Sequence, residues 1–159
     1  MRFLRVSELR QQTKDFLTPT TFDRCIGVTL TMKQKVDFVR LDEERSSQNF
    51  RHFLNLLNRE VLGKRFTRFG TRINVIPVLE VSNSHRLHYH TIFQVPKNIR
   101  STDFLHKVED SWKKTDWGYE HFHHHNHIDE GWLDYLTKSR SYRDQIVWIN
   151  HHWVSDRRV

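Results

Sequence analysis

The chain has 159 residues, enough for one core and too few for a nuclease fused to an ATP-driven motor. Aromatic residues make up 13%, too many for a disordered tail, and a net charge of +7 points to a polyanionic partner such as nucleic acid. The lone Cys25 excludes an internal disulfide and suits a reducing compartment, and no run of about 18 apolar residues is available to span a membrane.

The opening stretch MRFLRVSELRQQTKDF has no apolar signal core, which argues against secretion. Residues 7–16 read as a short basic helix. Residues 24–33, RCIGVTLTMK, alternate and are β-branched, as a strand requires. Residues 41–62 carry Phe50, Phe53, Leu54, Leu57 and Val61 at helical spacing, and Gly63 can end that helix. Lys64, Arg65, Arg68 and Arg72 follow as a basic segment, readable either as a DNA contact or as a solvated loop. Strands are expected over 72–82 and 86–96, joined by a polar turn around Asn83 and Ser84. Pro77 is a misfit for a central strand and predicts a bulge there.

Residues 102–114 read as a second amphipathic helix. The stretch 117–128 alternates as a strand, although its content is mostly histidine. Residues 130–140 read as a short helix with Asp129 as N-cap, and 145–149 as a last strand. The order β-α-β-β-α-β, then helix, predicts an α+β fold. The specific form is a ferredoxin-like (RRM-like) antiparallel sheet of about five strands, with helices mainly on one face. The other face is then free to carry a site. No repeat or linker marks a boundary, so residues 1–159 are expected to form a single domain.

The hairpin text, IPVLEVSNSHRLHYHTIFQVP over residues 76–96, carries the chemistry. His88 and His90 are two apart in a strand and leave the same face. A turn centred on Ser84 sets Glu80 directly opposite His88, with Cβ atoms about 5 Å apart. Two imidazoles and a carboxylate then meet with open coordination positions. Such a mixed N/O set suits one Mn²⁺ or Mg²⁺ ion, and Zn²⁺ fits it as well. Gln94, on the same face, is a further candidate ligand. His-x-His recurs at His121, His123, His125 and His127, whose common face reads as a solvated edge or as a phosphate or adventitious metal site.

Downstream lies GWLDYLTKSR, residues 131–140. Tyr135 and Lys138 are three apart and share a helix face, while Trp132 and Leu136 could anchor the helix to the sheet. A tyrosine hydroxyl beside a metal-polarised phosphate is a competent nucleophile, and a nearby ammonium would neutralise phosphate or phenolate charge. An ordinary helix with an amphipathic Tyr and a solvated Lys shows the same spacing.

Glu80, then His88-Tyr89-His90, then Tyr135-Leu136-Thr137-Lys138 resembles the HUH endonucleases. The resemblance is to single-tyrosine rolling-circle replication initiators (Rep proteins) of small single-stranded-DNA viruses, phages and plasmids. Val28-Thr29-Leu30-Thr31 is similar to their first motif, and HYHTIFQ, residues 88–94, to the viral His-U-His-x-x-x-Gln form. The resemblance covers residues 24–140. It implies a metal-dependent endonuclease with metal ligands Glu80, His88 and His90 and catalytic residues Tyr135 and Lys138. The implied activity is sequence-specific nicking and joining of single-stranded DNA through a covalent 5′-phosphotyrosine. Nucleic-acid contacts are expected from Lys64, Arg65, Arg68, Arg72 and Arg86. The expected partners are single-stranded DNA or an origin hairpin, and no membrane.

The sequence holds no Gly-x-x-x-x-Gly-Lys-Ser/Thr phosphate loop, so helicase and polymerase are expected from other proteins. A cytoplasmic setting in a prokaryotic host follows, or a nuclear one if the replicon is a eukaryotic virus. Three rivals stand beside this reading. One is a transposase or relaxase with the same chemistry. Another is a non-catalytic ferredoxin-like domain that binds nucleic acid. The third is a metal-binding protein built on the histidine-rich strand.

Overall fold

The computed structural model describes residues 11, 15, 23–125, 128, 131–132, 134, 145–146 and 152–154. Along the chain run β1 (Cys25–Met32), β2 (Lys35–Val36), β3 (Val39–Arg40), α1 (Glu43–Leu62) and α2 (Lys64–Phe69). They are followed by β4 (Val75–Val81), β5 (Leu87–Gln94), α3 (Ser101–Lys113), β6 (Gly118–His125) and β7 (Gln145–Ile146).

Asp42 starts α1: its backbone is extended and its carboxylate accepts from Arg45 N at 2.8 Å, satisfying a donor the first turn leaves open. Glu43 and Glu44 in the first turn and Arg59 in the last suit the helix dipole. Gly63 ends the helix at φ 52°, a conformation costly for any side chain bearing a Cβ, and its N–H bonds Arg59 O. The apolar stripe predicted for this helix is buried at Phe50, Phe53, Leu54 and Leu57. In α3 the buried face is Phe104, Val108 and Trp112.

The main sheet has five antiparallel strands in the order β6-β1-β5-β4-β7. Numbered in chain order, the four long strands read 4-1-3-2, the ferredoxin-like order, with β7 added at one edge. The fold is α+β, as the sequence predicts.

Alternation along each strand divides the side chains between two faces. Ile26, Val28, Leu30, Tyr89, Phe93 and Leu79 join Phe50, Phe53 and Trp112 in the main core beneath α1 and α3. Phe53 meets Trp112 edge-on with centroids 5.2 Å apart, and Phe93 at 6.2 Å. Each such pair adds roughly 1 kcal/mol beyond burial. The opposite face carries a smaller apolar cluster of Cys25, Ile76, Val78, Ile92 and Ile128, with Trp132 and Trp153 packed on it.

Four details differ from the sequence expectations. Pro77 causes no bulge: the β4–β5 register runs unbroken through Pro77↔Thr91. Val75 N–H bonds outward to His152 O, so by alternation the ring nitrogen of Pro77 also faces outward, where its missing proton costs no bond to β5. The irregularity falls instead in the β1–β6 pairing, between Leu30 and Met32. The basic segment after Gly63 is helix α2 rather than a loop, closed by Gly70 at φ 66°. The two-residue strands β2 and β3 form a small hairpin that the sequence did not announce.

Of the N-terminal helix expected over 7–16, Gln11 and Asp15 are helical, and the remainder lies outside the described residues. Of the helix expected over 130–140, Gly131, Trp132 and Asp134 are helical. Asp129, Tyr135, Leu136 and Lys138 lie outside the described residues, as do His127 and residues 147–149 of the expected last strand.

Candidate metal centre and nucleic-acid face

The β4–β5 turn sets the centre. Ser82 N donates to Arg86 O at 2.9 Å and His85 N to Ser82 O at 2.8 Å, which closes the connection and pins the register. Glu80 then pairs with His88, and Val78 with His90, as the turn at Ser84 predicts. His90 Nε2 lies 2.7 Å from Glu80 Oε2, and His88 Nε2 lies 3.6 Å from the same oxygen. The two rings stand edge-on, centroids 4.9 Å apart. All three residues are half-buried, and their ligand atoms lie within 4.8 Å of one another. Among the described residues this is the one group so placed.

The remaining ring nitrogens have their own partners. His90 Nδ1 lies 3.1 Å from Thr29 Oγ1 on β1, and His88 Nδ1 lies 3.4 Å from Arg86 O. Outer contacts of this kind fix ring orientation and leave Nε2 for a cation. The donor set therefore fits a divalent ion, with two imidazoles, one carboxylate and room for further ligands. At the His90–Glu80 contact, a cation would take over from a shared proton.

Tyr89, between the two histidines, faces the other way. It is fully buried against Phe50, and its hydroxyl lies 3.1 Å from Ser46 Oγ. Burial pushes its phenol up to about 12, so its work is structural.

Gln94 is not brought to the triad. It lies six residues from His88 along β5, and its amide is held by Asn74 Nδ2 at 2.7 Å and Asp23 O at 3.3 Å. His121, His123 and His125 share the triad's sheet face, since His123 pairs with Thr29 and His125 with Gly27. They gather no third ligand atom among the described residues.

The predicted basic set divides between the two ends of the sheet. Arg86 lines a groove of about 320 Å³ with His88, Thr29, Tyr119 and His121, directly beside the triad. Arg65 and Arg72 line a second groove at the far end. Lys64 and Arg68 are exposed on α2.

Sequence reasoning missed the roles of Thr29 and Gly27. A Cβ on Gly27 would stand 2.7 Å from Ile128 Cδ1 and 3.7 Å from Trp132 Cη2, so the missing side chain admits both onto the sheet. The signal was a glycine inside a strand, a mark of close approach by another group.

Fold and site together define a ferredoxin-like domain with a carboxylate–histidine metal centre on its open face. Residues 25–142 match the family model described as replication-associated protein ORF2, and the chain belongs to that family. No curated protein and no solved structure matches the chain significantly. Membership supports a role as an initiator of DNA replication. No helix among the described residues is long and apolar enough to cross a membrane.

Proposed function

We propose that this protein nicks and rejoins a specific single-stranded DNA sequence and so starts rolling-circle replication. One observation carries the reading: two imidazole Nε2 atoms converge on one Glu80 oxygen, on the sheet face against which Trp132 docks. Trp132 precedes Tyr135 by three residues, less than one helical turn, which favours Tyr135 as the nucleophile for a phosphate held at the triad.

Tyr135 Oη attacks the scissile phosphorus as the bond to the 3′ oxygen breaks. The phenol gives up its proton, and the departing oxygen takes one up to become a 3′ hydroxyl. The 5′ phosphate is left esterified to the tyrosine, and the 3′ hydroxyl can prime synthesis. Attack by a 3′ hydroxyl on that ester restores the phosphodiester and frees the tyrosine. One ester replaces another in each direction, so no ATP is consumed.

Bound at Glu80, His88 and His90, Mn²⁺ or Mg²⁺ supplies Lewis-acid polarisation of the phosphate. Lys138 steadies the phosphate or the phenolate, and Arg86 meets the strand beside His88. Single-stranded DNA or an origin hairpin is the substrate, while helicase and polymerase come from other proteins.

A 3′-labelled pool of random single-stranded DNA, incubated with Mn²⁺ and run on a denaturing protein gel, tests the proposal. A metal-dependent covalent band is expected from the native chain and not from Tyr135→Phe. An adduct that persists in Tyr135→Phe, or that forms without a divalent ion, overturns it.

A further inference from the structure

At the end of the sheet remote from the triad lies a groove of about 440 Å³. Arg24, Arg65, Arg72 and Lys97 line it, together with one carboxylate, Asp23. Gln94 also lines it, six residues along β5 from His88, or about 20 Å at ~3.3 Å per strand residue.

Neutral partners hold its arginines in place. Arg24 Nη2 donates to Pro96 O at 3.1 Å and to Ile99 O at 2.6 Å. The Arg72 guanidinium sits 5.2 Å from the Phe66 ring centroid and reaches Asn55 Oδ1 at 3.5 Å. No described carboxylate pairs with Arg24, Arg65 or Arg72. By contrast Arg45, Arg100, Lys107 and Lys113 each pair with a neighbouring acid. The field of the groove reaches its surroundings: burial first, then the Arg72 charge, holds His152 below the usual histidine range.

Two features of this lining choose the ligand. Unneutralised, fixed guanidinium groups suit phosphate oxygens. No aromatic side chain lines the groove, so it offers no platform on which unpaired bases could stack. The triad-end groove differs in this respect, since it carries Tyr119 beside His121 with ring centroids 5.4 Å apart.

We infer that the groove of Arg24, Arg65, Arg72 and Lys97 grips the phosphate backbone of duplex DNA flanking the nick site. A duplex keeps its bases stacked within itself and presents phosphates alone. At about 3.4 Å per base pair along the axis, the ~20 Å between triad and groove corresponds to about six base pairs. The nick would thus be measured from a paired stem by the length of β5.

The test needs neither metal nor cleavage, so it stands apart from the nicking proposal. Fluorescence anisotropy reads binding of a labelled closed-end DNA duplex and of a six-nucleotide single strand, across a salt series. The variants are Arg65→Gln with Arg72→Gln, and Lys97→Gln separately, in case the double change disturbs packing on Phe66. Arg100→Gln with Lys113→Gln removes equal charge outside the groove.

The groove double variant is expected to weaken duplex binding at least tenfold, with the salt slope falling by about 2. Lys97→Gln should cost about threefold, and the single strand should bind within twofold of the native chain. Duplex binding that survives the groove variants, falls equally with the control pair, or falls no more than single-strand binding overturns the inference.

Discussion

Thr29 Oγ1 stands 3.1 Å from His90 Nδ1, so a residue of β1 holds the ring whose other nitrogen faces Glu80. Removing that hydroxyl while keeping the side chain's shape frees the ring to turn. Thr29→Val is expected to weaken Mn²⁺ binding by roughly tenfold to a hundredfold, the usual scale for an outer partner of a ligating histidine. Titration calorimetry measures it, with circular dichroism showing an unchanged fold. Unchanged affinity would mean that Thr29 does not orient the ring.

The metal centre also predicts a stabilisation that depends on the ion. At a free Mn²⁺ concentration about a hundred times the dissociation constant, folding should gain roughly 2.7 kcal/mol. The gain should vanish with chelator and be absent in His88→Ala or Glu80→Gln. Urea unfolding with and without Mn²⁺ reads this directly, and an equal gain in the variants would place the ion elsewhere.

Gly27 makes room for Ile128 and Trp132 on the open face. In Gly27→Ala the new methyl meets the tip of Ile128, which can rotate, so the stability cost is expected near 1 kcal/mol. Displacement of Trp132 should be felt further on, as a fall in nicking rate of tenfold or more with DNA affinity nearly kept. A rate that falls only in step with the folded fraction would refute this separation.

Alkaline pH should unfold the protein early. Burial pushes the Tyr89 phenol from 10.0 to about 12, with Glu43 adding to the rise and Ser46 opposing it. Burial pushes the Cys25 thiol from 9.0 to about 12, aided by the charge of Asp23. Both groups hold their protons more tightly when folded. Their contribution is therefore whole below about pH 9 and is lost as pH rises towards 12. For Tyr89 the rise corresponds to about 3 kcal/mol at most. Tyr89→Phe should flatten the loss above pH 10 while costing about 1 kcal/mol at neutral pH for the Ser46 bond. Denaturant melts between about pH 8 and 11 decide it.

What was legible in the sequence is what depends on neighbours along the chain. The Glu80–His88 pairing follows from a short polar turn and the period of a strand, and both are local. The stripe of α1 follows from spacing and from an acid at its start. The place of Thr29 beside His90 depends on β1 pairing with β5, across some sixty residues of chain, and no local pattern carries that. Strands β2 and β3 are too short for any period to register. Helix α2, KRFTRF, is so rich in cations that composition pointed to a solvated loop. Pro77 misled because its tolerance depends on which way its nitrogen faces, which pairing alone decides. Tyr135 and Lys138 lie outside the described residues, so their placement rests on the motif and on the docking of Trp132.

The order in which the chain emerges during synthesis gives the hairpin a further consequence. Glu80, His88 and His90 all lie within residues 80–90, and Thr29 comes long before them. A nascent chain that has emerged through Gln94 already holds every donor atom of the triad and the hydroxyl that steadies His90. Strand β6, Trp132 and the segment bearing Tyr135 arrive afterwards. The cation-binding half of the site is therefore older, in the life of each molecule, than the half that would attack. Damage late in the chain should leave a protein that still takes up its ion and still holds DNA, yet cannot cut.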